Sequence, residues 1–308
     1  MTDTALHSAW ITDAGRRGGT AAGPDGDGDG DGDGDARLFP YWSFTKTVIA
    51  ATALRMAEAG AVSLDDPLGD GTFTLGQALG HTAGLADYTA LPDYHRDVAA
   101  GADAWPRARM LAAVDSLGRP FRPGRGWAYS NLGYMLANEH LARAAGETIG
   151  AVVDRLILRP LGLWSVTLPA TRRDFARVHW PAARAYDPGW VYHGCLVGTA
   201  ADAARLLDGI LAGPLLTAAS RARMRQATPL GGAIGGRPWT AHGYGLGLMT
   251  GQMNAAGRAT GHSGGGPFSM NAVYRFPDLP DPVTVATFGA GTEVGRAEAE
   301  AARIALSL

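Results

Sequence analysis

The chain carries a single cysteine, Cys195, among 308 residues, so no disulfide can form within it. A lone thiol fits a reducing compartment. With no activating partner beside it in sequence, Cys195 reads as a small buried residue rather than a nucleophile. A surplus of charge of either sign is equally lacking. The formal net charge is −2, which gives no basic footprint for nucleic acid or an anionic membrane. No apolar run approaches the length of a bilayer span. The N-terminus lacks the basic start and apolar stretch of a secretory leader, so a cytoplasmic location is the expectation. The histidines lack metal-ligand spacing, and neither a metal nor a cofactor is expected. Oligomeric state has no signature here. Against these absences stands a hydrophobic fraction of 46%, enough for a sizeable core.

Organisation follows from composition and periodicity. Residues 1–22 read as a short hairpin turning at Asp13-Ala14-Gly15. Pro24 and the Asp-Gly alternation after it cannot bury a core, so residues 23–35 read as a flexible solvated loop. A cation-binding reading competes: Asp25, Asp27, Asp29 and Gly30 fall at positions 1, 3, 5 and 6 of a calcium loop, but Ala36 stands where the bidentate Glu belongs. A helix is expected from about Ser43 to Ala59, burying Val48, Ile49, Ala53 and Met56 and stopping at Gly60. Residues 75–225 have helical spacing broken by Pro and Gly. Strands are expected where Tyr244, Leu246 and Leu248 alternate with Gly, along residues 268–276, and along residues 283–288. A last helix aligns Val294, Ala297, Ala301, Ile304 and Leu308. The two chain ends should therefore build one mainly antiparallel sheet, an α+β arrangement covered by helices, with a helical lobe between them.

Three short motifs carry the chemistry. In Ser43-Phe44-Thr45-Lys46 the hydroxyl and the amine share one helical face. At a helix start, backbone N–H groups favour a developing oxyanion. A lysine drawn into an apolar face should lose part of its hold on the proton. Taken alone, this motif equally describes an N-cap serine and a solvated lysine. The second motif is Tyr129-Ser130-Asn131, which by itself could be a turn opening a helix. The third is His262-Ser263-Gly264-Gly265. Gly261 through Gly265 also fits G-x-S-x-G, but no histidine follows His262 and a strand, not a helix, comes next, so the α/β-hydrolase elbow is excluded.

Together the three motifs resemble the active site of serine β-lactamases, penicillin-binding proteins and their esterase and peptidase relatives, with the Tyr-x-Asn form of the class C branch. Leu64-Asp65-Asp66-Pro67, His81-Thr82-Ala83-Gly84-Leu85, Pro160-Leu161-Gly162-Leu163 and Tyr244-Gly245-Leu246-Gly247 follow the family's order. The resemblance implies one β-lactamase-like domain over residues 1–308, with its sheet region at about 1–74 and 226–308 and its helical lobe at about 75–225. It implies an acyl-enzyme on Ser43, with Lys46 and Tyr129 sharing the proton work. Asn131 would bond the substrate's acyl side chain or Lys46. The N–H groups of Ser43 and Gly265 would form the oxyanion hole, with His262, Ser263 and Gly264 along the substrate. His262 stands where β-lactamases carry a lysine that holds a substrate carboxylate. At its ordinary pKa of about 6.5 it would be mostly neutral at pH 7 and would charge on acidification. The hairpin is shorter than the family's usual pair of strands. The expected activity is hydrolysis of small carboxylic esters or amides. The alternatives are a D-stereospecific aminopeptidase or amidase, a weak class C-like β-lactamase, and a catalytically idle binding domain on the same scaffold.

Overall fold

The computed structural model describes residues 5–20 and 36–308. The flexible-loop and calcium readings of residues 23–35 fall outside the described residues. Eight strands form one antiparallel sheet: β1 (Leu6–Thr12), β2 (Arg17–Gly19), β3 (Thr228–Gly231), β4 (Trp239–Tyr244), β5 (Met249–Met253), β6 (Arg258–Gly265), β7 (Ser269–Phe276) and β8 (Val283–Ala290). Their order is β2-β1-β8-β7-β6-β5-β4-β3, so the N-terminal hairpin is laid beside the last strand. Short as it is, β1 pairs with β8 along its whole length, from Leu6 opposite Gly289 to Thr12 opposite Val283. The hairpin turns at the expected place, with Gly15 at φ 83°.

The alternation along residues 269–276 sorts the two faces correctly, but both faces are buried. Met270, Ala272, Tyr274 and Phe276 pack with Ala297, Ala301 and Ile304 of α4 (Val294–Ser307). Leu308 at the end of that helix is exposed. The other face is covered by α3 (Ala200–Leu211), which packs against β1, β7 and β8. Helix α3 thus belongs to the sheet's packing although it lies within residues 75–225. The strand expected through Leu246 and Leu248 ends at Tyr244. Residues 245–248 instead form the turn into β5, closed by Gly245 N–H on the Leu248 carbonyl at 2.9 Å. Gly247, at φ 69°, sits so near α1 (Thr45–Glu58) that a Cβ there would lie 2.6 Å from both the Ala50 Cβ and the Lys46 carbonyl. The glycines that resemble strand alternation are there for this close approach.

The α-helix expected from about Ser43 starts two residues later, at Thr45. Residues Trp42–Phe44 form a 3₁₀ turn and α1 follows. Nearly every residue of α1 from Thr45 to Met56 is buried, not one stripe, because it lies in the middle of the molecule. Gly60, at φ 70°, follows its end as expected. Among the described residues, no helix is long and apolar enough to cross a membrane.

Candidate active site

Ser43 lies in the 3₁₀ turn, immediately after Trp42, whose φ of 42° is strained for a side chain of that size. The strain is held by packing. The Trp42 indole donates to Ser269 Oγ at 2.9 Å and stands edge-on to Tyr186 and Phe268. From the other side, β6 presses against the turn. A Cβ on Gly264 would lie 2.8 Å from the Ser43 nitrogen, and one on Gly266 would lie 2.3 Å from the Trp42 ring. The glycine run therefore lets the strand end, with the Gly265 backbone, come up beside the Ser43 backbone.

Ser43 Oγ receives two side-chain hydrogen bonds, from Lys46 Nζ at 3.0 Å and from the Tyr129 hydroxyl at 2.8 Å. Lys46 is fully buried. Its amine also donates to Asn131 Oδ1 at 2.6 Å and meets His193 Nε2 at 2.9 Å. Asn131 is the first residue of α2 (Asn131–Ala145); Ser130, not Asn131, is its N-cap. Asn131 turns its Nδ2 to Asp87 at 3.0 Å, and its backbone N–H donates to the other Asp87 oxygen at 2.9 Å. A carboxylate on one side and an amine on the other fix the orientation of the amide.

Burial pulls the Lys46 pKa from its ordinary 10.5 to about 7, against Asp87 and Cys195, which push it up. Three contacts suit an amine in either state. A neutral amine donates to Asn131 and His193 and offers its lone pair to the Ser43 proton; an ammonium donates to all three. The proton can therefore move without displacing heavy atoms. Lys46 is also the single lysine of the chain; every other Lys or Arg is arginine. Arginine does not release its proton in proteins, so the one basic side chain able to do so sits beside Ser43. That count was a signal available in the sequence. Burial holds the Tyr129 phenol well above its ordinary pKa, with the Ser43 hydrogen bond acting against it.

His262 sits on β6 and is buried. Its Nδ1 faces the Ser263 carbonyl, which can only accept, so the ring proton is on Nδ1 and Nε2 accepts from the Tyr244 hydroxyl at 2.9 Å. Burial first, then the Lys46 charge, push its pKa down to about 3. Acidification to pH 6 therefore leaves it neutral, which corrects the expectation drawn from its ordinary pKa. Ser263 requires a further correction. Its hydroxyl points to the opposite face of β6, onto the buried Glu298 carboxylate and the Tyr274 hydroxyl, rather than toward Ser43. Its neighbours in G-x-S-x-G lie in the strand with it, so no nucleophile elbow exists there. Cys195 is buried, and burial pushes its thiol up to about 12, the behaviour of an inert side chain.

Sequence reasoning missed three participants. Asp87 lies two residues beyond the His81–Leu85 motif and gave no signal of its own. His193 is one of eight histidines with nothing to mark it. His81 is in a quoted motif, but its part was not legible. At φ 59° it accepts from the Ser130 N–H at 3.1 Å and lays its ring 4.3 Å from that of Tyr129, bracing the phenol.

The chain is similar to known proteins in sequence and in fold. The Beta-lactamase family model matches residues 14–307. Esterase EstB of Burkholderia gladioli is 26% identical over 290 residues, spanning 77% of this chain and 72% of that one. Among solved structures, a D-stereospecific amidohydrolase from Streptomyces sp. superposes with a TM-score of 0.76 at 21% identity, over 99% of this chain and 94% of the other. D-amino acid amidase from Ochrobactrum anthropi SV3 gives 0.77 at 19% identity, over 98% and 95%. A serine hydrolase is the class these features define. The chain belongs to the Beta-lactamase family.

Proposed function

We propose that Ser43 is the nucleophile of an acyl-transfer hydrolase acting on small, uncharged carboxylic esters, and more slowly on amides. The observation that carries the reading is the convergence of Lys46 and Tyr129 on one serine oxygen. Neutral Lys46 takes the Ser43 proton as Oγ bonds to the substrate carbonyl carbon. The oxyanion is held by the Ser43 and Gly265 N–H groups, a role that the close approach of β6 to the Ser43 backbone supports. The bond to the leaving alkoxide then breaks, and the proton returns from Lys46 through Tyr129 to that oxygen. Water attacks the acyl-enzyme by the reverse proton path and releases the carboxylic acid. The depressed Lys46 pKa favours the amine over the phenol as base. Asn131 acts by holding Lys46 between Asp87 and Ser43, and Gly264 by letting β6 approach.

The neutral His262 argues against penicillins and cephalosporins, whose carboxylate needs a fixed cation. Arg237, near the same strand, is tied to Glu298. The lone buried thiol is compatible with a cytoplasmic location. The test combines Ser43→Ala with fluorophosphonate labelling. Wild type labels at Ser43 and hydrolyses p-nitrophenyl acetate far better than a chromogenic cephalosporin at pH 7.5. The variant folds, does not label, and loses several orders of magnitude in rate. An unchanged rate in Ser43→Ala refutes the mechanism, and a preference for the cephalosporin refutes the substrate class.

A further inference from the structure

Two cavities of very different size flank the catalytic pair, one lined by Ser43 itself and the other by Tyr129, whose hydroxyl bonds to Ser43. One, of about 80 Å³, is lined by Ser43, Asn131, His193 and Gly265 and walled by Trp42, Tyr88, Tyr94 and Tyr186. The other, of about 540 Å³, has Tyr129, Tyr244 and His262 on one side and Trp127, Leu230, Ile234, Met249 and Val294 around the rest. The chemistry decides what each holds. The departing oxygen must take a proton, and the hydroxyl on Ser43 that can deliver it belongs to Tyr129, which borders the larger cavity. The acyl carbon stays on Ser43 with its oxygen toward Gly265, and both of these residues border the smaller one.

Resting on the serine-hydrolase reading, we propose that the enzyme selects esters joining a short acyl group, of two to about four carbons, to a bulky apolar alcohol. A volume of about 80 Å³ is the share of roughly three water molecules. The larger cavity is in the range that holds whole small-molecule ligands. The small one cannot easily widen, because its walls are braced rings. Trp42 packs edge-on to Tyr186 with centroids 5.6 Å apart, Tyr88 lies 5.0 Å from Tyr94, and Tyr94 stands edge-on to Trp190. Among the described residues, none lining it carries a carboxylate that could pair with an α-ammonium. A bulky aminoacyl group therefore lacks both room and a counter-charge. On the leaving-group side, Arg237 is held by Glu298 through two nitrogens, so its guanidinium is already paired, and Trp127, Leu230, Ile234, Met249 and Val294 offer the large cavity's apolar surface.

Two isomeric esters test this, because they carry one cyclohexane ring at opposite ends. Cyclohexylmethyl acetate places the ring on the alcohol, and ethyl cyclohexanecarboxylate places it on the acyl group. Their kcat/KM values are divided by their alkaline hydrolysis rates to remove intrinsic reactivity. The corrected ratio favours cyclohexylmethyl acetate by at least about a hundredfold. Tyr186→Ala narrows that ratio at least tenfold by raising the rate on ethyl cyclohexanecarboxylate. Equal corrected rates, the opposite preference, or fluorophosphonate labelling of Ser43 without turnover of either isomer overturns the assignment of the two cavities alone. Absence of labelling at Ser43 overturns the hydrolase reading, and this inference with it.

Discussion

Lys46 is the single lysine, so its proton can be observed directly. Protein grown on [ε-13C]lysine should give one side-chain signal, and its shift against pH gives the Lys46 pKa. The structure sets the midpoint at about 7, from an ordinary 10.5. At pH 7 about half the amines are then neutral, against roughly 0.03% for an unperturbed lysine, a difference of roughly 1,600-fold in available base. The sign follows from the role proposed for Lys46 as the base. As pH falls through 7 the amine gains its proton, so kcat/KM on p-nitrophenyl acetate should fall tenfold per pH unit, to about one-hundredth of the plateau at pH 5. Histidines are the usual source of a limb near neutrality, but here burial and the Lys46 charge push His81, His193 and His262 downward. Asp87→Asn removes the carboxylate that holds the Lys46 pKa up, so both the resonance and the kinetic limb should move to lower pH together. A lysine signal that titrates above pH 9, or a rate that climbs through pH 9 without a plateau, would refute the reasoning.

Two further outcomes follow from the same geometry. Lys46→Ala and Tyr129→Phe should each slow acylation at least about a hundredfold, measured by single-turnover kinetics, and the double variant should lose far less than the product because both act on one proton path; multiplicative losses would separate their roles. Glu298→Ala should cost about 3 kcal/mol in urea unfolding, the lower end for breaking a buried ion pair, because the Arg237 side chain keeps 21% of its exposure. Glu298 also accepts from Trp239 Nε1 at 3.1 Å and Tyr274 at 3.2 Å, so Glu298→Gln, which keeps an acceptor, should cost less.

What was legible in the chain was whatever is local. Ser43 and Lys46 meet because they are three residues apart near a helix start, and Gly15 and Gly60 mark a turn and a helix end through their own φ. The strand alternation of Met270, Ala272, Tyr274 and Phe276 assigned a face to each residue, but only the packing of α3 and α4 determined that both faces are dry. Residues 245–248 were misread because glycine alternation looks alike in a strand and in a turn pressed against a helix. His193 and Asp87 could not be read, because each reaches the site from a distant stretch of chain and depends on contacts no spacing encodes.

The substitution at His262 and the state of Lys46 are connected. A permanent cation on β6 would add a second positive charge to the site, and like charges beside a buried amine lower its pKa further. With His262 neutral in its Nδ1–H form, the Lys46 pKa is set mainly by burial against Asp87. Giving up the fixed cation removes the means of holding a substrate carboxylate, and it leaves Lys46 as the one charge that changes during the reaction. In this reading the same histidine excludes charged substrates and helps hold the base near neutrality. His262→Lys should therefore shift the Lys46 resonance to lower pH before it confers any β-lactam turnover.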